Sequence, residues 1–194
     1  SWTASIAYTR ALMRELTGKE IPIAITEANS DWSGRVDDEG GTNSWSNALW
    51  WTDVLMRLIS AECQIVNQFC MGAIQSQGLG LFGPIAYDSA PLPTFEAYRL
   101  LQKLGSIRLH SSIDVADGHV LAAQRDDNVI TVVYVNHAFA PVSMPLKIAN
   151  ATVRDLARVW RFGDGARCAT HPAIDVSQPI EWPARTATLL EIPV

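Results

Sequence analysis

The chain has 194 residues, of which 48% are hydrophobic and 18% charged. This is the composition of a folded protein with room for one large domain or two small ones, and it excludes an intrinsically disordered segment. A net charge of -5 and a pI near 5.3 argue against nucleic acid and anionic membranes as partners. No apolar run is long enough to cross a bilayer, and no secretory signal pattern is present. The chain begins at Ser1 without an initiator methionine, as a piece of a longer protein would, so its location is left open. Cys63, Cys70 and Cys168 form no C-x-x-C and no Cys/His set with zinc spacing, so buried free thiols are expected, with no metal and no cofactor.

Residues 2–17 read as a helix, with Ile6, Leu12, Met13 and Leu16 in its apolar stripe and Gly18 as its C-terminal cap. Ile21-Pro22-Ile23-Ala24-Ile25-Thr26 is an uncharged, apolar run. It suits a strand buried on both faces, as in a parallel sheet flanked by helices. The run stops at Glu27. A carboxylate there is costly unless it has partners or faces a cleft. Asn29, Ser30, Asp31 and Trp32 follow, which are hydrogen-bonding groups and a flat aromatic. They are the ingredients of a sugar site at the carboxyl end of a strand. The plainer reading is that Glu27 is the first solvated residue of a loop.

Residues 30–43 form a polar loop with the acidic cluster Asp37-Asp38-Glu39. A second helix is expected from about Ser44 to Ala61, with Trp45, Leu49, Thr52, Met56 and Ile59 on one face and Asn43 or Ser44 as its cap. A strand-length run, Gln64 to Met71, carries Asn67 and Gln68 inside it. Residues 72–93 make a long Gly, Ser and Pro-rich loop that includes Gln75. Loops of that length are commonly functional or disordered. A third helix follows from Pro93-Thr94 to Gly105. After Gly105 the period changes to two. Strands are expected at 107–110, 120–125 and 129–135, the last two joined by the turn Asp126-Asp127-Asn128, and further strands near 142–148, 153–161 and 185–192. Short strands between turn signals indicate an antiparallel β-sandwich.

Ile-Ala-Ile-Thr-Glu-Ala-Asn, followed by a long helix and another apolar strand, resembles strand seven of the large clan of retaining glycoside hydrolases built on (β/α)8 TIM barrels. The resemblance implies that residues 1–105 are the last part of such a barrel, from helix six to helix eight, and residues 106–194 a β-sandwich. It implies that Glu27 is the catalytic nucleophile of a double displacement on O-glycosidic bonds. Asn29, Trp32 and Gln75 are the accompanying candidates for substrate contact. In that clan the acid/base residue ends strand four, which this chain does not contain. The resemblance therefore implies an inactive fragment that needs the missing amino-terminal barrel portion, or self-association, besides its carbohydrate substrate. Strand eight also departs from the clan, many members of which carry a Trp near its end. The competing readings are a non-catalytic carbohydrate-binding or structural fragment and a barrel enzyme of different chemistry.

Overall fold

The computed structural model describes residues 2–31, 40–72, 90–115, 119–126, 128–163 and 165–194. The first part runs α1 (Trp2–Thr17), β1 (Ala24–Ala28), α2 (Trp45–Ser60), β2 (Ile65–Gln68) and α3 (Phe95–Leu101). β1 and β2 are parallel neighbours. Gly18 ends α1 with φ +67 and its N–H on the Arg14 carbonyl at 2.9 Å. That left-handed position suits a residue without Cβ. Of the two expected caps for α2, Ser44 takes the role, its side chain accepting from the Asn47 N–H at 3.0 Å.

β1 starts later than the apolar run, at Ala24, and it is not buried on both faces. Ala24, Thr26 and Glu27 are exposed, Ile25 is half-buried and Ala28 is buried. The helices cover one side only. Ile23, Ile25 and Val66 pack with Ile6, Trp51, Val54 and Leu58. Among the described residues no helix covers the other side, where Ala24 and Thr26 are exposed.

The second part is antiparallel. It comprises β3 (Ile107–Leu109), β4 (Val120–Arg125), β5 (Val129–Asn136), β6 (Val142–Met144), β7 (Ala157–Gly163), β8 (Ala166–Ile174), β9 (Ile180–Trp182) and β10 (Thr186–Pro193). Six strands form one sheet in the order β3-β4-β5-β10-β7-β8, and β6 pairs with β9 as a separate ribbon. The two faces of the large sheet are covered differently. Ala122, Ile130, Val132, Tyr134, Val159, Leu190 and Ile192 share a core with Ile180 and Trp182 of the ribbon. Leu121, Val133, Val135, Phe162, Ala187 and Leu189 share another with Ala48, Leu49 and Met56 of α2 and Leu100 of α3. At the join, a Cβ on Gly105 would stand 2.4 Å from the Gln124 carbonyl. The glycine thus serves a close backbone approach to β4 rather than the helix stop expected of it. α3 ends earlier, at Leu101.

The seam between α2 and the large sheet contains His119, just before β4. Its Nδ1 is 3.6 Å from Asp53, its Nε2 is 3.4 Å from the Ser60 hydroxyl, and the Nδ1 is buried without a hydrogen-bond partner. Burial, first, and the Arg57 charge hold this imidazole below its ordinary value of 6.5, against the opposing pull of Asp53. A histidine with a depressed folded pKa binds fewer protons folded than unfolded. Its stabilisation is complete above the unfolded value and is lost as pH falls through the window beneath it. Urea unfolding should therefore give a smaller stability at pH 5.5 than at pH 7.5, with up to about 1.4 kcal/mol lost per pH unit inside that window. His119→Gln should reduce this loss, the remainder belonging to His137 and His171, which burial also holds below their ordinary value. An equal slope in parent and variant would refute the assignment to His119.

Candidate active site

Parallel pairing places the carboxyl ends of β1 and β2 side by side. The register there is irregular. Ile25 pairs with Val66, but Ala28 pairs with Gln68, so β1 advances three residues where β2 advances two. The extra residue falls at Thr26-Glu27. A bulge of this kind re-aims a side chain and interrupts pairing. Glu27 is exposed, so this carboxylate does not bear the desolvation cost of a buried strand position.

Beyond the bulge the two strand ends are tied together. The Ala28 carbonyl accepts from the Phe69 N–H at 2.9 Å. The Asn29 Nδ2 donates to the Phe69 carbonyl, and the Asn29 Oδ1 accepts from the Ser30 N–H at 2.8 Å. Asn29 is thus a clasp next to Glu27. The Phe69–Cys70 peptide that follows is cis. The Gln68 Oε1 is buried without a hydrogen-bond partner at this same end, and Phe69 and Met71 are both exposed. Trp32 and Gln75 lie outside the described residues. Of the other tryptophans near the key strand, Trp51 is buried and Trp50 packs beside it, with ring centroids 5.6 Å apart. Trp45 packs against the sheet-facing core. These three are core residues.

Other candidate chemistry fails on geometry. Ser60, His119 and Asp53 are neighbours, yet 3.4 and 3.6 Å are too long for a working proton relay. Asp53 also pairs with Arg57 at 2.9 Å. Ser60 is the last residue of α2, where the negative end of the helix opposes an alkoxide. Cys168 is no nucleophile either: burial, and next the Glu96 charge, push its thiol up to about 11. All three cysteines are free. A groove of about 370 Å³ lies at the amino ends of the strands, opposite Glu27, lined by Arg10, Arg14, Glu20, Glu62 and Gln64. Arg14 pairs with Glu20, Arg10 donates to the Glu62 backbone carbonyl at 2.5 Å, and the Glu62 carboxylate pairs with Arg108 at 2.8 Å. Among the described residues no group of three or more His, Cys, Asp or Glu is placed to hold a metal, and no helix is long and apolar enough to cross a membrane.

No protein-family model matches the chain, and no curated protein is similar to it. Solved structures do match. A xyloglucanase of glycoside hydrolase family 44 from Paenibacillus polymyxa superposes with a TM-score of 0.73 at 15% identity, over 97% of this chain and 35% of that one. An α-L-arabinofuranosidase from Thermotoga maritima gives 0.72 at 11% identity, over 100% and 48%. A family 30 subfamily 8 xylanase from Clostridium acetobutylicum gives 0.71 at 14%, over 94% and 45%. At these identities the likeness is one of fold. The chain is similar to a part of these glycoside hydrolases and spans between about a third and a half of their length.

The clasp can be tested apart from any activity. Asn29→Ala should speed hydrogen exchange at the Phe69 amide and lower stability by about 0.5–1.5 kcal/mol. Unchanged exchange at that amide would show that Asn29 does not hold the strand ends.

Proposed function

We propose that this chain is the carboxy-terminal part of a retaining glycoside hydrolase, with Glu27 as the nucleophile. The observation that carries the reading is the position of Glu27. It is an exposed carboxylate on a bulge at the carboxyl end of a parallel strand, in a chain with the fold of part of several glycoside hydrolases. In barrel enzymes the chemistry sits at that end of the strands. We further propose that residues 1–105 complete the barrel and 106–194 form the sandwich.

The chemistry is a double displacement. An ionised Glu27 oxygen attacks the anomeric carbon, the bond to the leaving oxygen breaks, and a second carboxylic acid protonates that oxygen. The same second group then takes a proton from water, whose oxygen displaces Glu27. The two carboxyl groups must stand about 5–5.5 Å apart. The resembling clan supplies the second from strand four, outside these 194 residues. Asn29 serves by holding the end of β1 beside β2, and Trp32 and Gln75 are proposed to meet the sugar. The neighbours act on xylan, xyloglucan and arabinofuranosides, so a plant cell-wall polysaccharide is the proposed substrate class.

An activated fluorosugar that traps a glycosyl-enzyme should label the peptide carrying Glu27 in the complete enzyme. Glu27→Gln should lower turnover by roughly 10³-fold or more. Labelling of a different carboxylate would remove Glu27 from the role.

The 194 residues alone should not hydrolyse aryl xylosides, glucosides or arabinofuranosides, and should self-associate or bind the remaining barrel. Tyr8, Leu16 and Ile65 are 70%, 73% and 52% exposed, and the uncovered side of β1 adds to them. Leaving large apolar side chains in water costs roughly 1.5–3 kcal/mol each. Sedimentation at micromolar concentration, with an assay on the same sample, tests both parts. A stable and active monomer would overturn the reading as a barrel fragment.

A further inference from the structure

We infer that the antiparallel sheet braces the catalytic face, and that Arg167 on its outermost strand is the positioning residue through which it does so. This rests on the reading of Glu27 as part of a catalytic face, but the contacts themselves do not. Glu96, in the first turn of α3, has no exposed side-chain surface. Its carboxylate accepts from Arg167 Nη1 at 2.8 Å and from the Cys168 backbone N–H at 3.0 Å, and Arg99 stands at 3.4 Å. The second Nη of Arg167 donates to the Pro91 carbonyl at 2.8 Å. One planar guanidinium thus holds both the helix and the segment entering it, a fork that a lysine ammonium does not reproduce.

The hold extends further. Three residues past Pro91, the buried Thr94 hydroxyl accepts from Asn47 Nδ2 at 2.8 Å and donates to the Thr42 carbonyl at 3.2 Å. Asn47 also donates to that carbonyl at 2.8 Å. Thr42, Asn47 and Thr94 are all buried. Residues 40–47 bring the chain from β1 into α2, and residues 90–96 bring it from β2 into α3. Both segments therefore lie on the connections that leave the carboxyl ends of β1 and β2. Arg167 secures one, and the Thr94-Asn47-Thr42 bridge passes the restraint to the other. The sheet thereby has a task on this chain other than binding carbohydrate as an independent module.

Hydrogen exchange on the full chain tests the brace whether or not Glu27 proves to be the nucleophile, so the two readings fail separately. The reporter amides are Phe95, Glu96 and Ala97 on one segment and Ser44 and Asn47 on the other, each hydrogen-bonded. Arg167→Met should speed exchange at all five by tenfold or more and leave β4 and β5 unchanged. Arg167→Lys should restore Glu96 and Ala97 more fully than Ser44 and Asn47. Thr94→Val, which cuts only the bridge, should speed Ser44 and Asn47 and leave Phe95 to Ala97 slow. Acceleration limited to 95–97 and β8 in Arg167→Met would reduce Arg167 to a local ion pair and overturn the inference. Uniform acceleration across β4 and β5 would overturn it as well, by showing general destabilisation. Unchanged Ser44 and Asn47 amides in Thr94→Val would remove the bridge.

Discussion

Both faces of the six-stranded sheet are apolar, and each has to be covered. β5 shows why. Val133 and Val135 point to one side and Ile130, Val132 and Tyr134 to the other, and all are buried. A strand buried on both faces needs a layer above and a layer below. The β6–β9 ribbon supplies one. The other comes from α2 and α3, which precede the sheet in the chain. The helical part and the sheet are therefore packed through a common core, and the position of α2 is determined by the sheet.

α2 is also the main cover of the parallel pair. Ala48, Leu49 and Met56 face the large sheet, while Trp51, Val54 and Leu58 face β1 and α1. A helix buried on two sides has little freedom to shift, because interiors are close-packed and a displacement opens cavities on one side as it overpacks the other. The end of β1 that bears Glu27 is thus located through α2 relative to the antiparallel sheet.

Much of this arrangement is visible in residue pattern, and the failures have physical causes. α2, β4 and β5 form where the sequence indicates, because their apolar residues are buried. α1 forms as well, but of Ile6, Leu12, Met13 and Leu16 only Ile6 is buried, and Leu12 and Leu16 are exposed. β8 is not among the strands that the sequence pattern indicates. Ala166-Arg167-Cys168-Ala169-Thr170-His171-Pro172-Ala173-Ile174 has no alternation to detect, since an edge strand with exposure on most positions is under little pressure to show any. The buried stripe of α3 departs from its apolar series for a different reason. Phe95, Tyr98 and Leu101 form the apolar series, but Glu96, Ala97 and Leu100 are the buried positions. A charge at position 96 argues for solvent until its partner is known, and that partner is 71 residues away on β8. Likewise the bulge at Glu27 is a matter of register between β1 and β2, which neither strand carries by itself.

Glu96 and Glu27 show the two ways this chain places a carboxylate next to apolar structure. Taking an ionised carboxylate out of water costs several kcal/mol, which only good partners offset. Glu96 has them in Arg167, the Cys168 N–H and Arg99, and such a group is fixed in place and unavailable for reaction. Glu27 avoids the cost by leaving the regular ladder at a bulge, and remains accessible. A reactive carboxylate needs accessibility and also a position held to within about 0.5 Å. Exposure alone would leave Glu27 loosely placed. Precision has to come from its surroundings: the Asn29 clasp between the strand ends, the packing of α2, and behind α3 the buried charge of Glu96. On the proposed reading of Glu27 as nucleophile, the carboxylate fixed in the seam helps to position the accessible one.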